Sequence, residues 1–220
     1  HADALLAITN TPDGERRAKE VFGADAVIVP YVMPGFDLAR HCARQFAAEA
    51  RSGTIGMVLM NHGIFSFGAT ARESYERMIA LVTRAEDYLA RHGAWELPRP
   101  VANGNSQTLR TDLARLRRDI SSCAGSPVVL ATHSDPKYVA FARRNDVSRL
   151  SQQGPATPDH AIRTKRVPML GRDVEAYAAA YRQYFNRHAP DAKSPKTSLD
   201  PAPRVVLDPA FGLACAGRSA

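Results

Sequence analysis

His62 lies between Asn61 and Gly63, directly after the apolar run Met57-Val58-Leu59-Met60. An imidazole at the end of a buried strand is held by a rigid element. The glycine beside it lets the backbone turn without a side chain crowding the ring, a placement that suits a metal ligand or an acid/base group. The bland reading of the same residue is a satisfied structural histidine. A second histidine, His1, stands just before a stretch of helical character. Zinc accepts neutral imidazoles from distant parts of a chain, but a catalytic zinc needs three protein ligands and one open position, and these residues alone motivate two. His41, His92, His133, His160 and His188 have no ligand spacing to one another and read as structural. The other chemical candidate is the segment TPDHAIRTKR, residues 157–166. Pro158 suits the first turn of a helix, whose free N–H groups together with Arg163, Lys165 and Arg166 would hold a phosphate; a solvated basic turn explains the same residues.

The elements that must position these groups follow from periodicity and punctuation. Ala2 to Ile8 is helical, and Thr11-Pro12-Asp13-Gly14 interrupts it before a charged stretch to Phe22. Ala26 to Val29 is a short β-branched strand stopped by Pro30, and Met57 to Met60 is a second strand. Between them Phe36, Ala39, Ala43, Phe46 and Ala47 recur at helical spacing. Thr70 and Glu73 have the spacing of a capping box, and Tyr75, Met78, Ile79, Val82 and Leu89 predict the buried face of the helix that follows, with Gly93 as its stop. Leu97 to Gln107, rich in Pro, Gly and Asn, predicts a boundary, giving domains 1–97 and 98–220.

In the second half, Leu109, Leu113, Leu116 and Ile120 share a helical face with arginines largely off it. A strand is expected over 127–132, and helices over 138–144 and 173–188. The last helix should bury Val174, Tyr177, Ala178, Tyr181 and Phe185. Four of the fifteen prolines fall in 190–203, an extended connection, and strands are expected at 204–207 and 213–215. GMVLMNHGIFSFG and RVVLDPAFGLACAG echo one another, either as a degenerate repeat or by chance, with Pro209 set against His62. The second strand unit is expected to be structural, adding to or covering the sheet of the first half.

Composition bounds the rest. At 220 residues with 45% hydrophobic and 23% charged side chains the chain can bury a core of its own, and its longest apolar run is far short of the roughly 20 residues that cross a bilayer. Cys42, Cys123 and Cys215 are odd in number and widely spaced, which argues against a disulfide framework and for a reducing cytoplasm. The net charge of +7 is uneven: residues 1–103 hold 11 basic and 12 acidic side chains, residues 104–220 hold 18 and 10. A basic half can serve nucleic acid, an anionic substrate, an acidic partner or plain solubility. The arginines at 110–118 are not interleaved with aromatics and carry Asp112 and Asp119 among them, so nucleic acid is not the expected partner.

HADALLAITNT, a strand running into PYVMPG, then VLMNHGIFSFG and a long helix with Tyr75 and Glu76, together resemble the class II aldolase/adducin family. TPDHAIRTKRVPMLG and DPAPRVVLDPAFGLACAGRSA resemble, more narrowly, the aldolase domain of bacterial bifunctional rhamnulose-1-phosphate aldolase/alcohol dehydrogenases, in which a short-chain dehydrogenase domain follows. The resemblance implies an α/β fold with a central mainly antiparallel or mixed sheet flanked by helices, and an α/β C-terminal extension. It places His1 as the second histidine of an H-x-H pair, His62 as the third zinc ligand and Tyr31 at the position of an active-site tyrosine. The chain is expected to be a piece of a longer protein. The first histidine of the pair, an acid/base glutamate and a phosphate loop would lie upstream of His1. The implied reaction is zinc-assisted aldol cleavage of a ketose 1-phosphate, by a cytoplasmic homo-oligomer. NAD is expected only for the dehydrogenase domain outside this chain, consistent with the absence of a Gly-rich nucleotide loop in these residues. The same fold also serves sugar-phosphate epimerases and dehydratases, and non-catalytic adducin-like interaction modules.

Overall fold

The computed structural model describes residues 1–95, 106–192 and 194–219. It divides the chain into two compact units. The first takes His1–Glu96 together with Ala156–His160, and the second takes Leu97–Pro155 and Ala161–Ala220. Most of the Pro/Gly/Asn-rich boundary segment lies outside the described residues.

The first unit runs α1(Asp3–Thr9), α2(Gly14–Phe22), β1(Ala26–Val29), α3(Phe36–Glu49), β2(Gly56–Leu59), β3(Gly63–Ser66) and α4(Ala71–Arg91). The charged stretch before Phe22 is thus a helix, and Gly14, Ala18 and Phe22, four residues apart, form its buried face. Strands β1 and β2 pair in parallel, and β2 turns back into antiparallel β3. All eight residues of β1 and β2 are buried because helices cover both faces. Ala26, Ile28 and Val58 pack with α1, α2 and α4, while Val27, Val29, Met57 and Leu59 pack with Leu38, Cys42 and Phe46 of α3. The result is a mixed α/β arrangement in which a continuous apolar strand is the expected pattern.

Two helical faces differ from the sequence expectation. In α3 the packed stripe is Leu38, Cys42 and Phe46, whereas Phe36 is 81% exposed. In α4 the core side is Leu81, Ala85, Tyr88 and Leu89 with Met78 against it, and Tyr75 and Ile79 face outward. Each helix carries more apolar residues than one face can bury, so periodicity alone was ambiguous and sheet contact decided. The cap of α4 is as expected: Glu73 N–H donates to Thr70 Oγ1 (3.1 Å), and the Glu73 carboxylate accepts from Ala69 N–H (2.6 Å).

The second unit contains α5(Ser106–Ala124), β4(Val129–His133), α6(Pro136–Ala142), α7(Val147–Ser151), β5(Met169–Leu170), α9(Val174–His188), β6(Val205–Asp208) and β7(Gly212–Gly217). Between α7 and β5 lies the short α8(Pro158–Arg163), which opens on Pro158. The sheet order is β4-β7-β6-β5, antiparallel except for the β5/β6 pair. Leu116 and Ile120 of α5 and Val174 of α9 pack on Met169, Val206, Ala214 and Ala216. Val205–Asp208 therefore belongs to a sheet of its own unit and does not extend the sheet of the first half. Of the residues expected to be buried on α9, Val174 and Ala178 are, while Tyr177, Tyr181 and Phe185 are half-buried.

Cys42, Cys123 and Cys215 are unpaired, and desolvation raises each thiol above its ordinary pKa. No helix among the described residues is long and apolar enough to cross a membrane.

Candidate metal centre

Strand β1 leads into Tyr31 and β2 into His62, so both residues leave the parallel pair at its carboxyl end. Met60 N–H still donates to the Val29 carbonyl (2.9 Å) one step beyond β2. His62 closes the β2–β3 turn by donating its N–H to the Leu59 carbonyl (3.1 Å). Asn61 before it adopts a left-handed φ of 58°, a conformation asparagine tolerates better than most residues.

His1 reaches this turn from the amino end of α1, whose Ala4, Leu5 and Ile8 are anchored in the core. The two imidazole centroids are 5.2 Å apart with their planes at 46°. Gly63 makes the approach possible. A Cβ there would stand 3.2 Å from the His1 nitrogen and 3.4 Å from its Cα and Cδ2.

Two observations bear on whether zinc fits. Imidazoles sharing one tetrahedral ion at Zn–N distances of about 2.0–2.1 Å bring their ring centroids to about 5 Å, the spacing of this pair. His62 Nδ1 is also buried without a hydrogen-bond partner, an unsatisfied nitrogen of the kind that native interiors rarely leave. The pair fits two ligand positions. Among the described residues no group of three or more His, Cys, Asp or Glu side chains is arranged to hold a metal ion.

The surroundings include a residue that sequence reasoning had assigned no metal-site role. Asp159 Oδ2 lies 2.8 Å from His1 Nδ1, so part of the TPDH segment belongs to this site. Its signal in the sequence was only an acidic residue beside a proline at a helix start, and nothing local ties it to a histidine 158 positions away.

Tyr31 is 54% exposed, and its hydroxyl points to Met33 Sδ at 4.0 Å. It shares the strand end with His62, but no described hydrogen bond joins it to either histidine. Arg163 is exposed, in the second unit. Lys165 departs from the expected solvated basic turn: it is 7% exposed, donates to the Asp200 carbonyl (2.5 Å) and sits 4.5 Å from the centre of the Tyr181 ring. Burial lowers its pKa despite the nearby Asp200 carboxylate. The side chain is committed to the fold of its own unit.

Comparison with known proteins agrees with these features. Residues 1–89 match the Class II Aldolase and Adducin N-terminal domain, and residues 107–220 match the Aldolase class II second domain. The uncharacterized oxidoreductase YuxG of Bacillus subtilis (strain 168) is 27% identical over 244 aligned residues, a match that takes in 100% of this chain and 34% of the relative. The chain thus spans about a third of the length of that curated relative. A solved structure, the N-terminal class II aldolase domain of a conserved protein from Thermoplasma acidophilum, is 39% identical where aligned, over 40% of this chain and 39% of that one, with a TM-score of 0.35. The two domain matches cover nearly the whole chain, the second alone more than half of it, and the protein belongs to the class II aldolase family.

Proposed function

We propose that this chain is the aldolase part of a zinc-dependent sugar-phosphate lyase. It would cleave a ketose 1-phosphate of the rhamnulose type to dihydroxyacetone phosphate and an aldehyde. The observation that carries the reading is the His1–His62 ring pair at 5.2 Å, on the two positions that the family pattern assigns to metal ligands. A further histidine, two residues before His1, would complete the set. When bound, zinc supplies Lewis-acid polarisation of the substrate's carbonyl and hydroxyl oxygens. His1 and His62 would hold the ion on two rigidly anchored elements, and Gly63, without a side chain, leaves room for His1 against the turn. Tyr31, exposed at the same strand end, would hold or deliver a proton at the aldehyde oxygen.

The name of the Bacillus relative, an oxidoreductase about three times as long, supports a fused NAD-dependent dehydrogenase domain outside this chain. We place the protein in the cytoplasm, as a homo-oligomer acting on a small sugar phosphate without nucleic acid or membrane as partner; the three unpaired cysteines fit that setting.

Metal analysis of the full-length protein is the test. About one zinc per chain is expected, lost in His62→Ala along with aldol cleavage. Stoichiometric zinc retained after His62→Ala would overturn the assignment.

A further inference from the structure

The 156–160 segment, distant in sequence, is fastened through Asn10 to the turn that carries His62, and directly to His1, two residues before α1. Asn10 Nδ2 donates to the Ala156 carbonyl (2.7 Å), and Asn10 Oδ1 accepts from Asn61 Nδ2 (3.0 Å), one residue before His62. Thr157 Oγ1 accepts from the His160 N–H (3.3 Å) and lies 2.6 Å from His160 Nδ1, which braces the first turn of α8. Asp159, between those two residues, then meets His1 Nδ1 at 2.8 Å. The links form a circuit: Asn61 to Asn10, Asn10 to Ala156, along the segment to Asp159, and from Asp159 to His1 beside His62.

The value of the last link is not stability. The His1 and Asp159 side chains are 32% and 50% exposed, and ion pairs at such exposure add little to stability. What the contact does fix is the ring. A carboxylate on Nδ1 selects the tautomer with its proton there, leaving the lone pair on Nε2, and it stops rotation about the side chain. Carboxylate–histidine pairing of this kind orients metal-binding imidazoles and raises their basicity.

We infer that Asp159 is a positioning residue for His1: its carboxylate holds the Nδ1–H tautomer and so presents Nε2, on the ring that faces His62, as the metal-binding nitrogen. The inference rests on the zinc reading above. It also gives the TPDH segment a role at the metal centre that its proline and basic residues did not suggest.

The test is zinc affinity of the full-length protein, measured by competition with a chromogenic chelator, with apoprotein melting recorded in parallel. Asp159→Ala is expected to weaken zinc binding about 10–100-fold while shifting apoprotein melting little. Asp159→Asn, which keeps an acceptor oxygen without the charge, should fall between it and wild type and serves if the alanine variant does not fold. In a His1→Ala background, Asp159→Ala should change the residual affinity less than about twofold, because the residue it positions is gone. Equal losses in both backgrounds would make Asp159 a ligand or a purely structural residue and overturn the inference. So would an Asp159→Ala affinity within twofold of wild type while His62→Ala loses zinc, an outcome that leaves the zinc reading standing. A wild-type protein that binds no zinc, or binds it without His62, overturns both.

Discussion

The hairpins β2–β3 and β6–β7 are built to the same plan and put to opposite uses. In each, the first strand pairs in parallel with a preceding strand, then turns through three residues into an antiparallel partner that begins with glycine. In each, the third turn residue donates its N–H to the last residue of the first strand: His62 to Leu59, Phe211 to Asp208. The pairing registers set His62 against Phe211, which corrects the match with Pro209 suggested by the sequences alone. The turns themselves differ. Asn61 is the left-handed residue of the first, at the position a type II turn requires. In the second, Pro209 follows an Asp208 whose carboxylate accepts from Ala210 N–H (2.8 Å), and the left-handed step is delayed to Gly212, φ 85°.

The consequence is chemical. His62 is half-buried with an unsatisfied ring nitrogen, beside a second imidazole. Phe211 is 2% exposed and plugs the core of its unit, with the Arg172 guanidinium 5.7 Å from its ring centre. Arg172 in turn donates twice to the Asp208 carboxylate and once to Asp112, at 2.6 to 3.2 Å. One hairpin leaves its polar group unspent; the other satisfies every group named here within the fold. The comparison teaches that a shared strand pairing does not carry a site with it, since one side chain at the end of the turn decides between ligand and core.

The largest effect that would break this contrast is a truncation at the equivalent turn positions. Phe211→Ala is expected to cost about 3–5 kcal/mol of stability, the range for emptying a buried aromatic site. His62→Ala should cost under about 1 kcal/mol yet remove the metal. Denaturant melts of both full-length variants check the pair, and equal destabilisation would show that His62 is a core residue as well.

The glycines after each turn sharpen the contrast at a smaller scale. A Cβ on Gly212 would lie 2.9 Å from the His133 carbonyl oxygen and 3.0 Å from Val139 N, at a φ that side chains rarely adopt. Gly212→Ala should therefore cost about 2–3 kcal/mol. Gly63 is not left-handed, and the nearest atoms a Cβ there would meet are those of His1, at 3.2–3.4 Å. Gly63→Ala should cost about 1 kcal/mol or less and show mainly as weaker zinc binding, read in the same chelator competition.

The smallest effect concerns the phenols. Tyr177 donates to the Val167 carbonyl (2.8 Å), and burial pushes its pKa up to about 12. The folded protein thus holds that proton more tightly than the unfolded chain, whose phenol titrates near 10. The stability it contributes is complete below about pH 10 and is lost as pH rises toward 12. Tyr177→Phe should cost about 1 kcal/mol at neutral pH and remove that part of the alkaline loss, whereas Tyr31→Phe should leave stability unchanged and act on turnover. Alkaline melting curves of the two variants measure the difference.

What was legible in the sequence was the local chemistry. The β-branched run stopped by Pro30, the Thr70/Glu73 cap and the arginine-free stripe of Leu109, Leu113, Leu116 and Ile120 all rest on interactions within a few residues of one another, and the structure has them in place. The family match likewise bears out the α/β class II aldolase resemblance read from short motifs. Motifs alone named His1 and His62, although their spacing to one another carries no ligand pattern.

Tertiary structure decided which apolar stripe of α3 and α4 turns inward, because both helices offer two stripes and the sheet accepts one. It decided that Lys165 points inward, since a lysine's flexible stem can serve water or a ring and a carbonyl, and only the neighbouring Tyr181 and Asp200 settle which. It made Phe211 the counterpart of His62 in the second hairpin, because the register within each hairpin is a property of two paired strands and not of one. It also brought Asp159 to His1: a hydrogen bond between residues 158 apart depends on the path of the whole intervening chain, which no local pattern of side chains encodes.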